Sequence, residues 1–205
     1  EVIAFGDAGS SESAALVSGV TAVLQQTFKE KFGHLPDAAL LKALLINSAE
    51  DAGRPEVDFE TGFGSVNAFG AVEGLLSDRF FSGSVAQSET RSHQITIPPA
   101  TALLKVTLVW ADPPAAPLAV KSLVHDLDLN LTAGSQTLLP WILNTDANLN
   151  ALRAPAQRGI DRLNNVEQIT LHGPTQGTYE IAVEGLEVAG ADQTYYVAYE
   201  TRRGL

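Results

Sequence analysis

From Val17 the apolar residues Val20, Val23, Leu24, Phe28 and Phe32 recur at the three-and-four spacing of a helix with one buried face. A second helical pattern follows His34-Leu35-Pro36-Asp37, with proline at a first-turn position and Leu40, Leu41, Leu44 and Leu45 on the apolar face. A short third helix is predicted through Ala71, Val72 and Leu75, after the turn Gly62-Phe63-Gly64-Ser65-Val66-Asn67-Ala68. Between the second and third patterns, residues 51–60 have no period and read as a surface loop rich in acidic residues. Ahead of the first helix, residues 1–5 (EVIAF) are a strand-like run that feeds the turn Gly6-Asp7-Ala8-Gly9.

After Leu76 the period changes. Short runs rich in β-branched and aromatic residues predict strands over 81–85, 92–97, 103–110, 123–132, 137–143, 165–171, 178–183 and 194–200. Turn clusters such as Pro98-Pro99, Ala133-Gly134 and His172-Gly173-Pro174 punctuate them. Strands at this spacing without intervening helices predict an antiparallel sandwich or jelly roll. Residues 146–161 read as a long irregular connection, because Arg153-Ala154-Pro155 excludes a central strand. The expectation is an α+β chain, with a helical segment over 1–78 and a β-sandwich domain over 79–205.

Composition narrows the function classes. With 45% hydrophobic residues among 205, the chain can bury a sizeable core. Its net charge of −11 argues against a nucleic-acid partner, whose phosphates it would repel. No apolar run reaches the length of a membrane span, so a membrane is not expected as a partner either. Without cysteine there is neither a disulfide framework nor a cysteine metal site. The absence of methionine, including at position 1, suggests that the chain begins inside a longer product.

The candidate chemistry lies at the start of the first helix. Gly9-Ser10-Ser11-Glu12-Ser13 places hydroxyls where backbone N–H groups have no intrahelical partner and the helix dipole is positive. Such donors can stabilise the oxyanion of an acyl-transfer intermediate, although Ser10 or Ser11 could equally be a capping residue. The stretch from Gly9 to Gly19 resembles the nucleophile motif of subtilisin-like serine proteases (subtilases), with Ser11 on the nucleophile and Val17 and Gly19 on the closing pair. Ser10, Glu12 and Ala15 depart from that motif, and the Glu12 carboxylate opposes a developing oxyanion unless solvent screens it. Asn47-Ser48-Ala49 and the Gly62–Ala68 turn are similar to the later motifs of the same catalytic domain, in the same order.

The second half carries its own resemblance. Leu108-Val109-Trp110-Ala111-Asp112-Pro113, His125-Asp126-Leu127-Asp128-Leu129, Asn164-Asn165-Val166-Glu167-Gln168 and Gly177-Thr178-Tyr179 look like the β-sandwich that some bacterial subtilases carry after the catalytic domain. That domain is similar in build to the P-domain of kexin-type proteases. The resemblance implies the C-terminal part of a secreted serine endopeptidase that hydrolyses protein or peptide substrates through an acyl-enzyme on Ser11. In subtilases the triad Asp, the His and the oxyanion Asn all precede the serine, so here they are expected from polypeptide outside this sequence. That N-terminal part of the protease domain is the expected partner or missing segment. His34, His93, His125 and His172 have no counterpart of the base among the family motifs. The rival expectation is a non-catalytic binding or stabilising module with a decayed or removed protease part. No cofactor is expected as a requirement. Asp126 and Asp128, sharing one strand face, are candidate ligands of a structural Ca²⁺, with Asp161, Asn164, Asn165 and Glu167 as further oxygen donors. Trp110 and Trp141 are read as core aromatics.

Overall fold

A computed structural model describes residues 1–7 and 9–204. Helix α1 spans Ser10–Phe32, α2 Ala38–Ser48 and α3 Ala68–Leu76, close to the three predicted patterns. Gly33 ends α1 in the left-handed conformation (φ 81°), its N–H donating to the carbonyl of Lys29. The Asn67 side chain accepts from Gly70 N–H at 2.8 Å and starts α3. Lys31 closes the other end of α3, donating to the carbonyls of Leu75 (3.3 Å) and Leu76 (2.8 Å). A cation is favoured there by the negative end of the helix dipole.

The strand-like run at the N-terminus forms only an isolated parallel bridge, Ile3 to Ser65. Ile3 N–H donates to Gly64 O at 2.9 Å and Val66 N–H to Ile3 O at 2.8 Å, so this run lies along the Gly62–Ala68 turn. Gly64 sits at φ 107° with its α-carbon against the carbonyl of Glu50. A side chain there would strike that carbonyl, which is why the turn needs glycine. Ala8, within the predicted Gly6–Gly9 turn, lies outside the described residues.

Among the described residues, ten strands follow the general pattern. They are β1 (Phe80–Val85), β2 (Thr90–Ile97), β3 (Thr101–Trp110), β4 (Asp126–Ala133), β5 (Gln136–Leu138), β6 (Trp141–Ile142), β7 (Gln157–Arg158), β8 (Val166–His172), β9 (Gly177–Glu187) and β10 (Gln193–Arg203). They pair as two four-stranded antiparallel sheets, ordered β1-β10-β3-β8 and β2-β9-β4-β5. The sheets share one apolar core built from Leu104, Leu108, Trp110, Leu127, Leu129, Ile181, Tyr195 and their neighbours. Alternation sets the inward face: Leu127, Leu129 and Leu131 point to the core while Asp128 and Asn130 point away.

Two details differ from the sequence pattern. The run predicted over 137–143 is split into β5 and β6, with Pro140 between them unable to donate a ladder hydrogen bond. The connection over 146–161 contains a one-turn helix α4 (Leu149–Leu152) and β7, which pairs with β6 as a separate two-stranded ribbon.

The helices lie on the outer face of the first sheet. Val109, Val166 and Ala198 join Leu40, Leu44, Ala71 and Leu75 in a second apolar cluster. This contact is sealed by polar groups as well. Thr107 Oγ1 faces the Asn47 amide at 3.0 Å and accepts from Gln168 Nε2 at 3.0 Å, with all three side chains buried. The helix faces are filled unequally. On α2 nine consecutive or near-consecutive residues are buried, whereas on α1 only Leu24 and Phe28 are. Val17 and Val20 are half-buried, Val23 and Phe32 exposed, because α1 meets other structure along one side only.

Candidate active site

Gly9 is the N-cap of α1, at φ 110°, and no side-chain cap bond is made there. Ser10 and Ser11 are therefore the first two helical residues, and the capping role open to them in the sequence belongs to neither. Glu12 N–H donates to Gly9 O at 3.2 Å. The N–H groups of Ser10 and Ser11 fall in the first turn, which has no intrahelical acceptor. Both side chains are exposed, and among the described residues Ser11 Oγ has no hydrogen-bond partner. Glu12 lies in the same turn, a placement that the helix dipole favours. An open groove of about 600 Å³ runs between residues 1–4 and the Ser10, Ser13, Ala14 and Val17 side of α1. A second groove, of about 370 Å³, separates Val17, Thr21 and Gln25 from Leu41, Leu45 and Ile46 of α2.

None of the four histidines reaches Ser11. His34 lies beyond the far end of the 23-residue helix, about 33 Å of rise away, with its ring edge-on to Phe28. His93 stacks on Phe81 and is 2.8 Å from the Tyr195 hydroxyl, and burial holds its pKa below the usual imidazole value. His125 is buried between Gln193 Oε1 (2.7 Å) and Ala189 O (3.1 Å). His172 is exposed beside Glu56 at 3.2 Å. The serine thus has the exposure and the helix-start donors of a nucleophile but no base within this chain's described residues.

At the other candidate site, Asp126 and Asp128 do share a strand face, and cationic side chains occupy it. Arg162 grips Asp128 through both guanidinium nitrogens, with Nη2 to Oδ2 at 3.1 Å, and its Nη1 reaches Asp126 Oδ1 at 3.3 Å. Lys121 Nζ lies 3.0 Å from Asp126 Oδ2. Among the described residues no group of three or more His, Cys, Asp or Glu side chains is arranged to hold a metal ion. Of the further donors, Asp161 accepts from Leu163 N, Asn164 N and Asn164 Nδ2 within its own loop. Asn165 donates to Trp110 O at 2.8 Å. Trp110 is 1% exposed in the core, whereas Trp141 is half-buried beneath the Arg158 guanidinium, 3.8 Å from its ring centre.

Glu167 was legible only as a distant oxygen donor. It is 2% exposed, its Oε2 accepts from Leu129 N–H at 2.6 Å, and Oε1 has no partner. Burial pushes its pKa well above the usual carboxylate range, against the backbone bond from Leu129, and the neighbouring carboxylates add to the rise. Leu129 lies upstream of the β4–β5 pairing, so the carboxyl occupies the edge position that a further strand would take.

Residues 6–64 match the model of the Subtilase family. The chain is 26% identical over 216 residues to the Serine protease/ABC transporter B family protein tagA of Dictyostelium discoideum, covering 96% of this chain and 12% of that protein. The tagB protein of the same organism is 31% identical over 104 residues, covering 51% of this chain and 5% of that protein. The chain therefore spans a small fraction of the relatives it matches. Helices α1 and α2, with the loop and turn up to Gly64, are the subtilase-like segment, and the match places Ser11 inside it.

Proposed function

With residues 6–64 subtilase-like as the premise, we propose that the chain is the C-terminal part of a secreted subtilisin-like serine endopeptidase. Ser11 Oγ attacks the peptide carbonyl of a protein substrate, and the acyl-enzyme is then hydrolysed. The Asp, His and oxyanion Asn come from polypeptide that precedes this segment in the protease domain. The observation that carries the reading is Ser11 itself. It is an exposed hydroxyl with no hydrogen-bond partner among the described residues, second in a 23-residue helix that begins at a glycine cap within the family match.

The uncovered side of α1 fits the same reading. Val23 is 53% exposed and Leu16 40%, and an open groove flanks residues 1–4. In the complete protease these apolar faces pack against the upstream part of the catalytic domain. The two-sheet unit over 79–205 serves as a P-domain-like, jelly-roll-like module that covers the opposite side of the helices.

The test is kinetic. In the complete protease Ser11→Ala should lower peptide hydrolysis by roughly a millionfold, the scale for loss of a triad serine. Unchanged hydrolysis in a folded Ser11→Ala protein would leave the non-catalytic module as the better reading.

A further inference from the structure

We propose that the tip of the connection between β3 and β4, residues 117–121, is a cleavage site for an endopeptidase, and that the cut chain stays assembled as two pieces. The feet of this connection are pinned. Asp112 accepts from the N–H groups of Val124 at 2.8 Å and His125 at 2.7 Å, and Trp110 Nε1 donates to the His125 carbonyl at 3.0 Å. Between the feet the main chain is bare. Among the described residues, the one backbone-to-backbone hydrogen bond within 113–122 runs from Ala119 N–H to Ala116 O at 3.1 Å. Pro113, Pro114 and Pro117 have no N–H to donate, which keeps the segment out of a sheet ladder.

Residues 116–120 are all exposed, and the side chains of Leu118 and Val120 are exposed in full. An endopeptidase needs such a segment, because its substrate must lie extended along the cleft, free of its own hydrogen bonds, with a side chain in a pocket. Leu118 or Val120 supplies that side chain. The bonds Leu118–Ala119 and Ala119–Val120 join no proline, so each is an ordinary secondary amide. Hydrolysis of either adds the hydroxyl of water to the carbonyl carbon and its proton to the leaving nitrogen, with no change of oxidation state. The other irregular connections are held more closely. In 51–60 the Asp58 carboxylate accepts from the N–H groups of Arg54, Glu60 and Thr61, and Glu56 accepts from Thr170 Oγ1. In 144–152 the Asn144 and Asn148 side chains accept from Asp146 N–H and Ala151 N–H, and α4 takes up the rest.

A cut between Leu118 and Val120 leaves β1, β2 and β3 on one piece and β4 to β10 on the other. The order β1-β10-β3-β8 then alternates between the pieces, so every ladder of that sheet joins them, and β2 joins β9 in the second sheet. The core is shared in the same way. Leu104, Leu108 and Trp110 of one piece pack with Leu129, Ile181 and Tyr195 of the other. The bonds from Asp112 and Trp110 also cross the cut and hold its new ends close to where they were. Separation requires both sheets to open, so cleavage changes the covalent chain and leaves the fold in place.

The test uses the 205-residue chain and a limiting amount of thermolysin, with the products read by intact mass spectrometry. The first cut between residues 10 and 200 should fall within 117–121. The two pieces should elute together from a size-exclusion column until denaturant is added. Leu118→Asp combined with Val120→Asp should leave Tm unchanged, since both side chains are fully exposed. It should also slow that cut by at least about tenfold, the scale for losing one apolar contact in an enzyme pocket. A first cut elsewhere in that range, pieces that separate without denaturant, or a double variant cut at the native rate would overturn the proposal.

Discussion

Lys105 Nζ donates to the main-chain carbonyl of Ala49 at 2.6 Å, joining the second strand-rich half to the end of helix α2. The side chain leaves β3 on its helix-facing side and is only 4% exposed. Burial lowers its pKa, and Glu200, at 3.5 Å, opposes that shift. Arg202 continues the clasp, pairing with Glu50 and with Glu200 at 2.8 Å. A carbonyl just past a helix end has no intrahelical donor, and here the sheet supplies one.

Lys105→Met keeps the aliphatic stem but leaves both the Ala49 carbonyl and Glu200 without the ammonium. The expected loss is about 1–3 kcal/mol, the cost of leaving the buried Ala49 carbonyl without its donor, because Arg202 still pairs with Glu200. Urea denaturation of the 205-residue chain measures it. A loss within about 0.5 kcal/mol, as for an ordinary surface change, would show that the clasp is not structural.

Glu167 makes stability depend on pH in a known direction. Its pKa is raised in the folded state, so its contribution is fully present below the unfolded value near 4.5 and is lost as pH rises through the folded value. Glu167→Gln keeps an acceptor for Leu129 N–H and cannot ionise. The stability of the variant relative to the native protein should therefore improve as pH rises from 4.5. Denaturation curves at several pH values decide this, and a difference that stays constant with pH would contradict it.

The boundary near residue 79 is proposed as a folding boundary. The core that includes Leu108, Trp110, Leu129 and Tyr195 is drawn entirely from residues 79–205, so a 79–205 fragment should unfold cooperatively. Its Tm should fall below that of the 205-residue chain, because Val109, Val166 and Ala198 lose their helical cover. Circular dichroism with a thermal ramp tests both statements. A fragment without a cooperative transition would contradict the boundary.

The helices and most strands were legible because their periods record which face is buried. The helix-to-sheet contact was not predicted, although β3 carried a sign of it. From Leu103 to Trp110 only Lys105 and Thr107 interrupt an apolar run, which marks a strand covered on both faces. Read as an alternating strand, Lys105 passes for a solvated residue, and nothing local says that a helix end waits for its ammonium. Asp126 and Asp128 were placed correctly on one face. Their partner Arg162 lies 34 residues beyond Asp128 in an irregular connection, where no period reports orientation. Ser11 is singled out by motif order. Its freedom from a capping role depended on Gly9 taking the N-cap at a positive φ, a choice local composition leaves open.

The most direct measurement of the account is covalent labelling by a fluorophosphonate, which requires a serine oxygen activated by a base. The 205-residue chain by itself should label at background level, since none of its four histidines reaches Ser11. The same chain joined to its upstream protease segment should label in one tryptic peptide, the one ending at Lys29, with the modification on Ser11. A folded complete protein that stays unlabelled, or labels on a different serine, would contradict the assignment of Ser11 as the nucleophile.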